Sequence, residues 1–281
     1  MERIKLAIEK AKQGGDGWLN AKPGAEFTRR PVAPVPQDAQ NERLSGPLTI
    51  EYTCSDSVVL DPDHLDTHHV VAHRKTHPAT HAFDILRTQV VQKMMEQGWR
   101  TLAITSPSAE SGKTLVAINL AISIAQQTDR TALLVDFDFR RPNVANALGL
   151  RRELSLNNVL TEGRELAEAL VHPDIDRLLV LPTNEPVPNP SEVLSSGLVA
   201  DIVQDLRNRY SERIVVFDLP PVLAADDVMA VLPRMDCVLL VIGNGVSSEK
   251  EVGIALERLQ KANLLGVVLN DDRSPAPEAY Y

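Results

Sequence analysis

The sequence predicts an α/β domain built on a doubly wound, mostly parallel sheet, with an irregular extension ahead of it. Three observations carry that expectation. From about residue 80 onward, short apolar runs alternate with longer segments whose apolar residues recur every three to four positions, the pattern of strands alternating with helices. Runs such as Val238–Ile242 hold no polar residue at all, as strands covered on both faces should. Two of the runs also end in aspartate, at Asp136 and Asp218. Open sheets of this class bind ligands at the carboxyl ends of their strands.

The elements follow in order. Residues 1–15 read as a short amphipathic helix, with Ile4, Ala7, Ile8 and Ala11 on one face and Gly14-Gly15 as its stop. Three turns are marginal alone, so a frayed end and a docking segment for another protein both fit. Residues 16–79 read as a Pro- and His-rich linker and extension, with Pro23, Pro31, Pro34, Pro36 and Pro47 in its first half. Within it, Leu48–Tyr52 and Val58–Leu60 are strand-like, and Pro62–Thr67 fits one helical turn. His69, His73, His77 and His81 recur every four residues. On one continuous helix that spacing binds metal, but Pro78 interrupts it and no cysteine supports it, which favours a polar surface segment.

Residues 80–272 form the expected main domain. A helix is predicted over about 81–97, and strands near 101–105, 131–136, 178–182, 213–218, 237–242 and 265–270. Asn189 and Pro190 mark a helix start, followed by Leu194, Leu198, Ile202 and Leu206 at four-residue intervals. Ser248 and Glu251 form a capping box ahead of Val252, Leu256 and Leu259. Residues 273–281 are a tail ending in Tyr280-Tyr281.

The chemistry concentrates at residues 101–114, Thr-Leu-Ala-Ile-Thr-Ser-Pro-Ser-Ala-Glu-Ser-Gly-Lys-Thr. A strand ends, a loop turns, and Gly112-Lys113-Thr114 opens an apolar helix. That is the layout of a phosphate-binding loop, although Pro107 replaces its usual first glycine. Loop amides face a phosphate, Lys113 reaches its oxygens, and the Thr114 hydroxyl suits Mg²⁺. Asp136, Asp138 and Asp218 at strand ends complete a nucleotide–magnesium site. An aspartate at a strand end is also a common turn former, and for Asp226 and Asp227 that reading weighs as much as a functional one.

Composition narrows the alternatives. The chain has 281 residues, 43% of them hydrophobic, and a net charge of −9, which suits a sizeable core and argues against nonspecific nucleic-acid binding. Its two cysteines, Cys54 and Cys237, lack metal or redox spacing. The longest apolar stretch, Leu115–Ala125, is interrupted by Asn119 and Ser123 and is too short for a bilayer. A cytosolic protein reaching the membrane through a partner is expected.

Taken together, Ser-Pro-Ser-Ala-Glu-Ser-Gly-Lys-Thr, Leu-Leu-Val-Asp-Phe-Asp-Phe-Arg-Arg-Pro, Asn-Pro-Ser-Glu-Val-Leu, Val-Val-Phe-Asp-Leu-Pro-Pro, Val267-Val268-Leu269-Asn270 and the tyrosine pair resemble the bacterial tyrosine kinases of polysaccharide synthesis. The likeness covers about residues 80–281. It is nearest to the stand-alone kinases that pair with a membrane chain-length-determinant (polysaccharide co-polymerase) protein. The N-terminal helix resembles the exosortase-associated branch. The wider group contains the cell-division and chromosome-partition ATPases, whose signature lysine is replaced here by Ser108.

The resemblance implies ATP-dependent transfer to tyrosine, chiefly to Tyr280 and Tyr281 of another copy, in regulation of exopolysaccharide polymerisation and export. It implies a homo-oligomer with ATP and Mg²⁺ as cofactors. Ser108, Ala109, Glu110, Ser111, Gly112, Lys113 and Thr114 would cradle ATP, and Asn270 would contact its base. Thr114, Asp138 and Asp218 would hold Mg²⁺, Asp136 would take the tyrosine proton, and Arg140 and Arg141 would steady phosphate charge or hold the acids. Three departures stand out. Glu110 and Ser111 replace a common Gly-Glu pair; His81, Asp84 and Arg87 stand where relatives carry a ring-forming Glu-x-x-Arg-x-x-Arg; and the tyrosine tail is short. A partition-type ATPase switch and a nucleotide-binding scaffold without turnover are the competing classes.

Overall fold

A computed structural model describes residues 56–272, apart from 152 and 225. The N-terminal helix, the Leu48–Tyr52 strand and the tyrosine tail predicted from sequence lie outside the described residues. In chain order the elements are β1 (Asp56–Val58), α1 (Pro62–Thr67), α2 (Thr80–Gln97), β2 (Thr101–Thr105), α3 (Lys113–Ala125), β3 (Thr131–Asp136), α4 (Val144–Leu148), α5 (Leu156–Glu162), α6 (Leu166–Ala169), β4 (Val171–Pro173), β5 (Leu178–Leu181), α7 (Pro190–Ser195), α8 (Gly197–Asn208), β6 (Arg213–Asp218), α9 (Asp227–Val231), β7 (Cys237–Gly243), α10 (Glu249–Arg258) and β8 (Leu264–Asn270).

Eight strands form one sheet in the order β1-β4-β5-β3-β6-β2-β7-β8. Strands β5, β3, β6, β2, β7 and β8 run parallel; β4 lies antiparallel to β5, and β1 is parallel to β4. Helices cover both faces, giving one buried apolar cluster on each side. The six predicted strands are present, and the all-apolar ones, such as β7, are buried along their whole length. The Ser248–Glu251 capping box forms, with Glu251 N donating to Ser248 Oγ at 3.2 Å. The reciprocal bonds from Ser248 hold the Glu251 carboxyl below its ordinary value.

Helix α3 organises the rest. Every residue from Val116 to Ala125 is buried. A helix apolar all round needs cover on its outer face as well as against the sheet. That cover comes from α2 and from residues 60–72, so the expectation of a linker running to residue 79 is corrected from residue 56 onward. Leu60, Leu65, Val70 and Ala72 join the core, and β1 extends the sheet. The pin is Asn119, read in the sequence only as a break in an apolar run. Its Oδ1 accepts from the Val71 and Ala72 amides at 2.8 and 2.9 Å, and its Nδ2 donates to His69 O at 3.2 Å. The strand expected at Val58–Leu60 sits two residues earlier, because Leu60 turns into the core.

Two helix expectations change. The run 190–206 is not one helix: Ser196 is extended, with ψ 157°, and restarts the chain by accepting from Val199 N at 3.3 Å. Leu198 is consequently 47% exposed, and Val199 and Val203 take the core positions. Arg234 bridges the break by donating to the carbonyls of Leu194 and Ser195 at 3.1 and 2.8 Å. The four-residue histidine series is not carried by one helix either, since α2 begins at Thr80 and His69 adopts φ 55°. Finally, Arg87, the matching member of the ring-forming pattern, turns inward. It donates to Asp84 Oδ1 at 2.8 Å and to Ser123 O at 3.2 Å, tying α2 to α3.

Candidate active site

The loop between β2 and α3 wraps the start of α3 and is held from two sides. Gly112 adopts φ 84°, and any side chain there would collide with the Asn270 amide. Asn270, at the end of β8, donates from Nδ2 to Ser111 O at 3.1 Å. Ser111 is buried; its Oγ donates to Ser108 O at 3.0 Å and lies 3.1 Å from Ser247 Oγ. Gly243 permits this approach, because a Cβ there would stand 2.9 Å from Ser111 Cα. Ala109 and Glu110 are exposed, and Glu110 takes the left-handed φ of 62°.

Inside the loop lies a compact charge cluster. Lys113 Nζ is 2.8 Å from Asp138 Oδ2, 3.6 Å from Asp218 Oδ1 and 3.2 Å from Thr114 Oγ1. The Thr114 hydroxyl donates to Asp218 Oδ2 at 2.6 Å. Asp136 and Asp218 face each other in register on β3 and β6. Sequence and sheet order thus bring Lys113, Thr114, Asp136, Asp138 and Asp218 together at the carboxyl ends of adjacent strands.

The three acids do different work. Asp136 is fully buried and shapes the loop after β3: Oδ2 accepts from the Asn143 and Val144 amides at 2.9 Å each, and Oδ1 from Asp138 N at 3.1 Å. Asp138 uses Oδ1 to accept from Arg141 N at 3.0 Å and leaves Oδ2 to Lys113. Asp218 keeps Oδ1 buried without a hydrogen bond. Burial, reinforced by the Asp218 charge, pushes the Asp136 carboxyl well above the ordinary aspartate range. Burial also raises Asp218, against the pull of Lys113 and Thr114. For Lys113, burial lowers the ammonium, but Asp218 and Asp138 outweigh it and hold the ammonium above its ordinary value.

This imbalance tests the fit to a cation. One ammonium faces three carboxylates, two of which resist ionising, and one buried oxygen is orphaned. A divalent cation would supply the missing charge, and Thr114 Oγ1 and Asp218 Oδ1 are oxygens that could take it. Among the described residues no group of three His, Cys, Asp or Glu side chains forms a ready-made metal cage. That agrees with magnesium at phosphate loops, which takes few protein ligands and relies on phosphates and water. The site therefore fits a magnesium–nucleotide pair better than a metal alone.

A pH dependence follows. Folded Asp136 and Asp218 hold protons above the ordinary aspartate value of 3.8. The folded chain therefore binds more protons than the unfolded one between 3.8 and the raised values, and their contribution to stability falls as pH rises through that window. Asp236 has the opposite sign. Although burial opposes it, bonds from the Arg100 and Thr101 amides and from Arg207 lower its carboxyl, so its contribution is lost only as pH falls below 3.8. Asp218→Asn removes one strained charge. Its stability relative to the parent, in metal-free buffer, is expected to be most favourable near pH ~8 and to shrink toward pH ~4.5. A difference that stays constant, or grows on acidification, in thermal unfolding would contradict this charge assignment.

Arg140 and Arg141 part company. The Arg141 side chain is exposed. Arg140 turns to Asp227, donating from Nε to Oδ2 at 2.5 Å and from Nη2 to Oδ1 at 3.1 Å, and Ser191 Oγ donates to the same carboxylate. Asp227, fully buried, is thus no mere turn former. Sequence reading missed Ser191, which stood in plain view in the Asn-Pro-Ser helix start, and left Asp227 undecided.

The family of CobQ/CobB/MinD/ParA nucleotide-binding domains matches residues 102–279. Tyrosine-protein kinase YwqD of Bacillus subtilis is 32% identical over 187 residues, covering 66% of this chain and 78% of YwqD. The chain belongs to the bacterial tyrosine kinases. Within that family it is 33% identical to tyrosine-protein kinase Etk of Escherichia coli over 72% of its own length, while spanning only 28% of Etk. The solved kinase domain of Etk superposes with a TM-score of 0.67 at 30% identity, covering 75% of this chain and 84% of that one. The family match spans the loop, the paired acids and the strand ends described above. Among the described residues of this bacterial tyrosine kinase, no helix is long and apolar enough to cross a membrane.

Proposed function

We propose that the chain is an ATP-dependent protein-tyrosine autokinase that phosphorylates Tyr280 and Tyr281 between copies. The observation that carries this reading is the Lys113–Thr114–Asp138–Asp218 cluster at the phosphate loop, in a chain whose relatives are named tyrosine kinases. The biological setting proposed is control of exopolysaccharide polymerisation and export. The kinase would work at the cytoplasmic face of the membrane, held there by a polysaccharide co-polymerase partner.

Each residue has a distinct task. Loop amides from Ser108 to Gly112 and the Lys113 ammonium hold the terminal phosphates of ATP. Thr114 and Asp218 hold Mg²⁺, which neutralises phosphate charge when bound. Asn270, already fixed on Ser111, is the base contact. The sequence reading gave the tyrosine proton to Asp136. We assign it to Asp138 instead, a reading supported by the amides that occupy both Asp136 oxygens and by the complete burial of that residue. Asp138 needs no such release. Once Lys113 engages phosphate oxygens, Asp138 Oδ2 loses its partner and becomes the available base. Asp138 is therefore moved from the metal set to proton acceptance, and Asp136 to shaping the loop.

The test is incubation of the pure protein with ATP and Mg²⁺, followed by phosphotyrosine mapping. Label on Tyr280 and Tyr281 is expected; nucleotide hydrolysis with no phosphotyrosine would instead favour the ATPase switch. Transfer between copies has its own test. In sequence, Ser-Pro-Ala-Pro-Glu and Ala279 are all that stand between Arg273 and the tyrosine pair. A Lys113→Met protein with its tail intact, mixed with an active protein lacking residues 280–281, is expected to gain phosphate. If the full-length protein labels itself but never labels that inactive copy, transfer occurs within one chain.

A further inference from the structure

Arg140, Asp227 and Ser191 stand apart from the phosphate-holding residues, yet they join the loops that follow β3, β5 and β6. The Asp227 side chain is 1% exposed, whereas that of Arg140 is 45% exposed. A guanidinium recruited only to neutralise a buried carboxylate would be expected to sink with it. Here one edge, Nε and Nη2, is fixed by Asp227, and Ser191 holds that carboxylate from its other side. The donors at Nη1 make no hydrogen bond among the described residues, and the side chain is 45% exposed. Arg140 is two residues beyond Asp138 and close enough to feel its charge. Exposed Arg141 follows it in sequence. Two exposed cations within three residues of Asp138 are notable on a chain of net charge −9.

A guanidinium with one edge immobilised is pre-organised to bind a carboxylate or phosphate with the other. We propose that Arg140, positioned by Asp227 and Ser191, is a specificity-determining residue that reads an anionic group beside the acceptor tyrosine. The substrate class is tyrosine in acidic sequence. This deepens the kinase reading and rests on it. The chain supplies such a sequence itself, with Glu278 two residues ahead of Tyr280. A tyrosine already phosphorylated would offer the same chemistry to the same fork.

The probes are three labelled, C-terminally amidated peptides: residues 274–281 as they stand, the same peptide with Glu278→Gln, and the Glu278→Gln peptide carrying phosphate on Tyr281. Binding to the full chain is followed by fluorescence anisotropy with a non-hydrolysable ATP analogue and Mg²⁺ present. At least one anionic peptide is expected to bind about tenfold tighter than the neutral one. Which one does so tells whether the anion is the carboxylate or the phosphate. Arg140→Gln should reduce the preference to under about twofold, with Arg140→Lys intermediate, because an ammonium keeps charge but loses the fork. Asp227→Asn should also flatten it while analogue binding persists, which a general loss of folding would not allow. Equal binding of all three peptides to the parent, or an unchanged preference in Arg140→Gln, overturns the proposal. The kinase reading is scored separately, by phosphate transfer to the unmodified peptide. Selective binding without transfer sinks that reading alone, and transfer without selectivity sinks this inference alone.

Discussion

Lys113→Met is expected to abolish phosphotyrosine and also to destabilise the folded chain. The catalytic loss arises because the side chain removed is the one the loop aims at transferring phosphate. Removing a group that stabilises developing charge costs about 10²–10³ in rate. The structural loss arises because Lys113 lies 2.8 Å from Asp138 and 3.6 Å from Asp218 in a nearly closed site, with only 12% of its side chain exposed. Breaking a buried pair from one side commonly costs about 3–5 kcal/mol. Asp218, whose carboxyl burial already raises, can relieve part of that by taking up a proton, so the deficit should be greatest at alkaline pH. Thermal unfolding near pH ~8 and pH ~5, alongside phosphotyrosine detection, separates the two effects. Wild-type levels of label in the variant would sink the site assignment. A variant as stable as the parent at both pH values would mean that the ammonium is not paired as described.

The second large effect divides Asp136 from Asp138. Asp136→Asn puts an NH₂ where a carboxylate oxygen now accepts backbone N–H groups. One rotamer faces the Asn143 and Val144 amides, the other the Asp138 amide. Either way a buried donor loses its acceptor, at about 1–3 kcal/mol each. The variant should lose stability and activity together. Asp138→Asn disturbs less, because Oδ1 can go on accepting from Arg141 N. It should retain most of its stability and nucleotide affinity while its transfer rate falls by about 10²-fold or more. Should Asp136→Asn prove stable, bind nucleotide and merely lose transfer, proton acceptance belongs to Asp136 after all.

Much of the frame was legible because it depends on local pattern. A strand buried on both faces has nowhere to place a polar side chain, so Val238–Ile242 could scarcely be anything else. Lys113 and Thr114 were legible for a similar reason: a loop that must bend at Gly112 and present amides to a phosphate leaves few choices of residue. What escaped were features made by chain segments far apart. Asp227 meets Arg140 across 87 positions, and Asn119 meets Val71 across 48; no spacing rule announces either. The four-residue leucine rhythm from Leu194 misled for the opposite reason. It is a true helical period, but Ser196 resets the helix within it, and the rhythm cannot show where the axis changes direction. The role of Asp136 is hard to read from sequence because identical residue types at a strand end serve as base, ligand or loop anchor, and the sequence does not show their hydrogen bonds.

The grip of Asn119 on the extension also redraws the edge of the folding unit. A chain trimmed to begin at residue 80, where the regular alternation starts, would keep every residue of the nucleotide loop. It would nevertheless strip part of the cover from the very helix that carries Lys113 and Thr114 at its head, leaving the Asn119 amide without its Val71 and Ala72 partners.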